Sequence, residues 1–388
     1  MDRAGALLSL VPTAPDFSVD FAGIERAFPA VVADMRATPQ NPKYHAEGDV
    51  WAHTAMVCEC IARDPDFRAC PERVRQELFL SALFHDIGKT RTTKLENGEW
   101  TSPNHAVVGA CMVRDMLTRE YGLSGSAERQ AFRETVCFLI RYHMVAPYIM
   151  ESQKPDRKLI RLASNGELAA DFTLSRLLIL ARADGNGKIS ESGGEGEESV
   201  MLAAELSKEL GCFEAPVRFA SPFTAYAFFA GRNVTPDTPL YNDTVCEAIL
   251  MCGLPGVGKD AYIRAHYPDL PMISLDDIRA EYGISPVGDQ SEVARIAKAR
   301  AKTLLRAKRS FVWNATNVTA KLRGELISLF TGYHAYVKIV YLETDYARDL
   351  ERNAAREAAV PQAVIETMLS KLIPPERHEA HEVEWKLV

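Results

Sequence analysis

Apolar residues recur at three- and four-residue spacing through Val50 to Ile61, Glu77 to Ile87, His105 to Leu117, Ala131 to Tyr142 and Thr173 to Ala183. That is the period of helices that bury one face. It predicts an almost wholly helical first part. The acidic, Gly-rich stretch Glu191 to Ser199 breaks the period and reads as a mobile surface loop. After a Pro-punctuated passage from Ser221 to Asp243 the pattern changes. Short apolar runs, Ala248 to Cys252, Pro271 to Ser274, Phe311 to Asn314 and Tyr336 to Leu342, each precede a polar amphipathic stretch. This alternation predicts a parallel sheet with helices on both faces. The expected architecture is an all-α domain over residues 1–220, a linker over 221–243 and an α/β domain with a parallel sheet over 244–388.

The helical pattern is interrupted in a regular way. His53 shares a face with Val50, Val57 and Ile61; His105 with Val108 and Met112; His143 with Val136, Leu139 and Ile140; Asp184 with Leu177 and Ala181. The pair His85-Asp86 ends the apolar run Leu78 to Phe84. A lone histidine on an apolar face is ordinarily satisfied by a hydrogen bond. A buried carboxylate is normally paired or bound to metal. Four imidazoles and two carboxylates (His53, His85, Asp86, His105, His143 and Asp184) suit one or two divalent transition ions such as Mn²⁺. Such ions acidify water and polarise phosphoryl oxygens, so no nucleophilic side chain is required. His45 is a further candidate contact. Lys89 and Arg182 are near enough in sequence to touch a phosphate, or are solvent-facing charges.

Composition narrows the class. A chain of 388 residues is long for one core, so two domains are expected. The net charge of −7 excludes a broadly basic nucleic-acid coat. From Cys246 onward 19 basic and 19 acidic residues balance, so the excess acid lies upstream. The eight cysteines form no C-x-x-C pair and read as reduced thiols of a cytoplasmic protein. The apolar run Ala6 to Val11 is too short for a signal peptide or membrane span, and no membrane association is expected.

The α/β part carries its own chemistry. Gly253-Leu254-Pro255-Gly256-Val257-Gly258-Lys259 follows a strand and precedes a helix, as a phosphate-binding loop requires. Its backbone N–H groups and Lys259 suit ATP, with Mg²⁺. The position that normally carries Ser or Thr is Asp260, and a carboxylate beside triphosphate is tolerable only with a cation between them. Parallel sheets place ligand sites at strand C-terminal ends, which singles out Asp276, Asp277, Asn314, Thr316 and Asn317. Arg352 and Arg356 stand one helical turn apart. The segment Arg295 to Arg309 holds seven basic residues, either a patch for a polynucleotide backbone or a solvated helix face.

The order His53, His85-Asp86, Asp184, with Gly48 to Thr54 and Phe84 to Thr90 around it, resembles the HD phosphohydrolase superfamily. The resemblance implies an all-helical, metal-dependent phosphoesterase, with Asp86 central to catalysis and His105 and His143 where two-metal members carry additional histidines. The second part resembles the polynucleotide 5′-kinase family of P-loop phosphotransferases. Ser274 to Arg279 looks like that family's D-D-x-R element, which implies Asp276 as general base on the 5′-hydroxyl and Arg279 as a contact to the acceptor's phosphate. Ala315-Thr316-Asn317 resembles its D-T-N element without the aspartate, implying acceptor contacts at Thr316 and Asn317. Arg352 and Arg356 match the lid arginines that clamp ATP and stabilise the transferred group.

Both parts in this order resemble the bacterial end-healing enzymes called HD-Pnk. The resemblance implies a bifunctional enzyme acting on single-stranded RNA or DNA ends. It would phosphorylate 5′-OH termini and remove 2′,3′-cyclic phosphate or 2′/3′-phosphate, with a separate ligase sealing the ends. Two other readings stay open. One is a small-molecule kinase fused to a nucleotide phosphohydrolase. The other is an ATP-binding regulatory module, motivated by Asp260, Ala315 and the net acidity.

Overall fold

The computed structural model describes residues 3–169, 171–189, 195–285, 288–356 and 359–388. The chain divides into two compact units, Met1–Val217 and Arg218–Val388.

The first unit is built on α1 (Val50–Arg63), α2 (Glu72–Phe84), α3 (His105–Arg119), α4 (Ala127–Tyr142) and α5 (Leu174–Asn186). Their starts are chemically marked. Asp49, Ser126 and Thr173 accept hydrogen bonds from Ala52, Arg129 and Arg176 N–H, which satisfies donors that a helix leaves free. α2 packs on α1 and α4, α3 on α4, and α5 on α1. Val57, Leu78, Phe79, Val136 and Leu139 are fully buried between them. Each such side chain contributes about 1.5–3 kcal/mol relative to exposure.

The acidic stretch corrects one expectation. Residues 191–194 lie outside the described residues, and Glu195 begins a helix, α6 (Glu195–Glu209), packed on α5. Val200, Ala203 and Ser207 form its buried face, a three-to-four spacing that the surrounding Glu and Gly obscure. The helical part also holds a hairpin, Lys94–Glu96 with Glu99–Thr101. Asn97 and Gly98 turn it with φ of 52° and 84°, and an Asn-Gly pair is the usual signal for such a turn.

The second unit contains a five-stranded parallel sheet: β1 (Cys246–Cys252), β2 (Met272–Ser274), β3 (Phe311–Asn314), β4 (Ala335–Glu343) and β5 (Glu382–Leu387), in the order β2-β3-β1-β4-β5. Central β1 pairs Ala248 with Phe311 of β3 and with Val337 of β4. Ile249, Met251, Val312, Val340 and Leu342 form a core that also takes in Val257. β5 escapes the apolar-run criterion because it alternates as Glu-Val-Glu-Trp-Lys-Leu. Its Glu382 and Glu384 accept from Lys338 of β4.

Inside the passage 221–243 lies a short helix, Pro222–Phe229, capped by Ser221. Phe223 and Tyr226 stack on His381, which ties it to the α/β unit. None of the eight cysteines is in a disulfide. Among the described residues no helix is long and apolar enough to cross a membrane.

Candidate active sites

In the helical unit, His85 and His143 are the cap residues that end α2 and α4, and His105 opens α3. The last carbonyls of a helix lack intrahelical partners. His85 and His143 use this, donating Nδ1–H to Ala82 O at 2.7 Å and to Ile140 O at 2.6 Å. His105 does the same to Ser102 O at 2.9 Å. His53 lies inside α1, and its Nδ1 faces Gly187 O and Glu47 Oε1, both at 3.0 Å. All four rings are thereby turned with Nε2 inward. Nε2 of His53 and His85 stand 3.2 Å apart, and those of His105 and His143 3.4 Å apart.

Two inward Nε2 atoms whose Nδ1 positions carry the ring protons present lone pair to lone pair. A proton or a metal ion must lie between them. With protons alone the burden is visible. Burial lowers His53, but Asp184 and Glu47 raise it to about 9. His143, buried and facing His85, is pushed down to about 3. Asp86 lies between the two pairs. Its Oδ2 is 3.4 Å from His85 Nε2 and 3.7 Å from His53 Nε2, and its Oδ1 is 3.3 Å from His105 Nε2 and 3.7 Å from His143 Nε2. Oδ1 is buried with no hydrogen-bond partner among the described residues. Asp184 Oδ1 completes the first pair, 3.0 Å from His53 and 3.7 Å from His85.

Donors held by one ion at about 2.0–2.2 Å lie roughly 3 Å from one another. The residues fit divalent-ion binding and fall into two groups that share Asp86: His53, His85 and Asp86, with Asp184 beside them, would hold one ion, and Asp86, His105 and His143 could hold a second.

Other residues find different places. Lys89 is not open to a phosphate: its ammonium lies 2.6 Å from Asp86 Oδ2 and donates to Gln40 Oε1 at 2.7 Å. Arg182 is likewise tied, to Asp64 and Asp66. His45 reaches the site through Glu47, which accepts from both His45 and His53. Glu47 was not legible in the sequence, because its partners come from α1 and from Ile189 N–H at the far end of the unit. Gly88 is a close-approach residue: a Cβ there would collide with His105 O and lie 2.6 Å from Gly109 N.

In the α/β unit, the phosphate loop joins β1 to α7 (Lys259–His266). Gly253, Gly256 and Gly258 have φ of 142°, 90° and 100°. Gly253 N donates to Thr316 O at 2.9 Å, and Val257 is buried in the core, so the loop is anchored at both ends. Lys259 Nζ donates to Gly253 O at 3.0 Å and Leu254 O at 2.7 Å, and burial pushes its pKa down to about 8. Asp260, in the first turn of α7, accepts from Asn314 Nδ2 at 2.6 Å.

Asp276 lies in the first turn of α8 (Leu275–Tyr282), but Ser274 is the cap, accepting from Asp277 N. Capping therefore does not occupy Asp276. Its side chain is 73% exposed, with Arg279 Nη1 at 2.6 Å and Arg356 Nη2 at 3.8 Å. Arg352, on α9 (Tyr346–Ala354), reaches the loop: its Nη1 is 3.8 Å from where a Gly258 Cβ would be. Asp349 of the same helix is 2% exposed, lies against Gly256, and neither carboxylate oxygen has a hydrogen-bond partner among the described residues.

Two expectations change here. Asn317 is turned into the sheet, donating to Met251 O at 2.7 Å, so its amide is not presented to an acceptor. The basic segment is largely spent or distant. Arg295, Lys298 and Arg300 pair with Glu292, Glu325 and Glu281. Exposed Arg306, Lys308 and Arg309 precede Phe311, at the end of the sheet opposite the loop.

Residues 50–185 match the family model of the HD domain, and residues 249–375 match that of an AAA domain. The chain is also 30% identical over 125 residues to a protein from Hahella chejuensis named multifunctional CCA protein. That match covers 32% of this chain and 25% of the relative, so the chain spans about a quarter of the relative's length. One chain thus joins an HD domain to a P-loop domain of kinase-like fold.

Proposed function

We propose that the chain is a bifunctional nucleic-acid end-healing enzyme. The α/β unit would phosphorylate 5′-OH polynucleotide ends with ATP and Mg²⁺. The helical unit would remove 2′,3′-cyclic phosphate or 2′/3′-phosphate from the other end. Single-stranded RNA or DNA ends are the substrates of this reading, and a separate ligase would seal them in the cytoplasm.

The observation that carries the reading is the setting of Asp276. This carboxylate stands exposed past the end of β2, at the sheet end that also carries the phosphate loop, flanked by Arg279 and Arg356. An open carboxylate between two cations suits an acceptor hydroxyl on a large, phosphate-bearing chain better than an enclosed small molecule. Asp276 would accept the hydroxyl proton while Arg279 holds the neighbouring acceptor phosphate. Lys259 would leave its two loop carbonyls for the triphosphate, and Arg352 and Arg356 would neutralise charge on the transferred group.

In the helical unit, His53, His85, Asp86, His105, His143 and Asp184 would hold the divalent ions. When bound, those ions supply an acidified water and polarise the phosphoryl group. The chain's own part is orientation: the Nδ1 bonds to carbonyls fix each tautomer and aim each Nε2.

The test uses a labelled single-stranded oligonucleotide with a 5′-OH and a 2′,3′-cyclic phosphate, with ATP and Mg²⁺ or Mn²⁺. Lys259→Ala should abolish 5′ phosphorylation alone, and Asp86→Ala should abolish 3′ processing alone. A wild type that leaves both ends untouched while binding ATP refutes the reading and favours a small-molecule substrate or a regulatory role.

A further inference from the structure

Phosphate loops of this kind ordinarily hold Mg²⁺ with a loop hydroxyl, and an aspartate from a nearby strand assists. Here the chemistry is exchanged. The loop ends in a carboxylate, Asp260, and β3, the strand beside β1, ends in an amide, Asn314. Asn314 is 8% exposed, and its Nδ2 donates to Asp260 Oδ1 at 2.6 Å. Asp260 Oδ2 accepts no hydrogen bond among the described residues, and the Lys259 ammonium is engaged by Gly253 O and Leu254 O.

One oxygen is therefore fixed and the other is open. A carboxylate in a first helical turn is mildly favourable. Beside a bound triphosphate it faces a like charge. At contact range that repulsion is the larger effect. The helix term is too small to offset that. A cation between carboxylate and phosphate reverses the sign, and carboxylate oxygen is a stronger ligand for a hard divalent ion than a hydroxyl is.

We propose that Asp260 is itself a ligand of the divalent ion that accompanies the triphosphate, and that Asn314 is the positioning residue that aims it. The carboxylate and its neutral partner have changed places between loop and strand. This rests on the reading that residues 253–259 bind a nucleoside triphosphate. It makes the loop hostile to metal-free nucleotide and unusually dependent on the ion.

Calorimetric titration of the full chain with a non-hydrolysable ATP analogue, in Mg²⁺ and in EDTA, tests this without any acceptor. Lys259→Ala marks the heat that belongs to the loop. In Asp260→Asn and Asp260→Ser the ratio of affinity with Mg²⁺ to affinity without it should fall by about 100-fold. That fall should come from both directions, weaker binding in Mg²⁺ and tighter binding in EDTA. Asn314→Ala should lower the ratio by about tenfold, as loss of a group that orients a ligand does. The double variant Asp260→Ser with Asn314→Asp should recover most of it.

An unchanged ratio in Asp260→Asn, with analogue still bound, overturns this inference alone. A wild type that binds no analogue in either condition overturns the triphosphate reading and this one together. A wild type inactive on oligonucleotide ends but with the expected ratios refutes end healing and upholds the role of Asp260.

Discussion

The two candidate centres are assembled on opposite principles. In the helical unit the chemistry is enclosed and already aimed: His53, His85 and His143 are fully buried, and every Nδ1 is committed to a backbone carbonyl. In the α/β unit the groups are parked. Lys259 rests on two carbonyls of its own loop, Arg356 leans toward exposed Asp276, and Asp349 is buried without a hydrogen-bond partner among the described residues. A centre that holds a resident ion can be rigid, because its ligands need one geometry. A centre whose substrate arrives and leaves must keep its charges in a second, inferior arrangement meanwhile. The difference locates the energetic cost of each site: lone pairs aimed at one another in the first, a buried carboxylate in the second.

Breaking the rigid centre should have the largest effect. Gly88→Ala drives a methyl group into His105 O and toward Gly109 N. The start of α3 must shift, at a cost of about 2–3 kcal/mol. A thermal melt should show the loss as roughly 5–10 °C. Metal analysis should show reduced loading, and an unchanged melt would mean that α3 is not held against Gly88.

The parked centre should respond in the opposite sense. Burial raises the Asp349 pKa from 3.8 to about 7, against the opposing pull of Lys259, Arg352 and Arg356. Because the folded chain binds this proton more tightly than the unfolded one, the penalty is absent below about pH 3, grows from pH 3.8 toward pH 7 and is full above it. Asp349→Asn should therefore stabilise the nucleotide-free protein by about 2–4 kcal/mol at pH 8 and by almost nothing at about pH 3. Denaturant titrations at the two pH values read this, and an equal effect at both would remove the carboxylate charge as its cause.

Smaller effects separate ligands from their supports. His45 and His53 share one oxygen of Glu47, Oε1, and Ile189 N–H takes the other, so Glu47→Gln removes the charge and leaves an amide nitrogen facing one of these donors. Metal affinity should fall by about 10–100-fold, read by competition with a chelating dye. An unaltered affinity would assign Glu47 to the loop alone. Arg182→Gln should change kcat/KM of the proposed 3′-end processing by less than about twofold, since Arg182 is paired with Asp64 and Asp66 and lies outside the candidate ligand set. A loss of tenfold would return Arg182 to the site.

Much of this was legible because short-range patterns carried it. The change from a helical to an alternating strand-helix pattern near residue 240 predicts the two architectures, and the strand, glycine and lysine order predicts the phosphate loop. β5 and α6 were not legible, since one alternates Glu with its apolar residues and the other hides a buried face among Glu and Gly. His53, His85-Asp86, His105, His143 and Asp184 could be picked out as polar residues on apolar faces, yet nothing in their spacing states which imidazole faces which.

The sequence by itself determined the inventory: which helices are amphipathic, which strands precede the loop, and which side chains can bind ions or phosphates. These follow from periodicity and residue chemistry, which act within a few residues. Only the tertiary structure decided how that inventory is used. It turned Asn317 into the sheet, brought Lys89 to Gln40, set Gly187 against His53 and paired Asn314 with Asp260. The physical reason is range: hydrogen-bond partners are chosen among groups that packing brings within about 3 Å, and the partners in these four pairs are up to 134 residues apart along the chain.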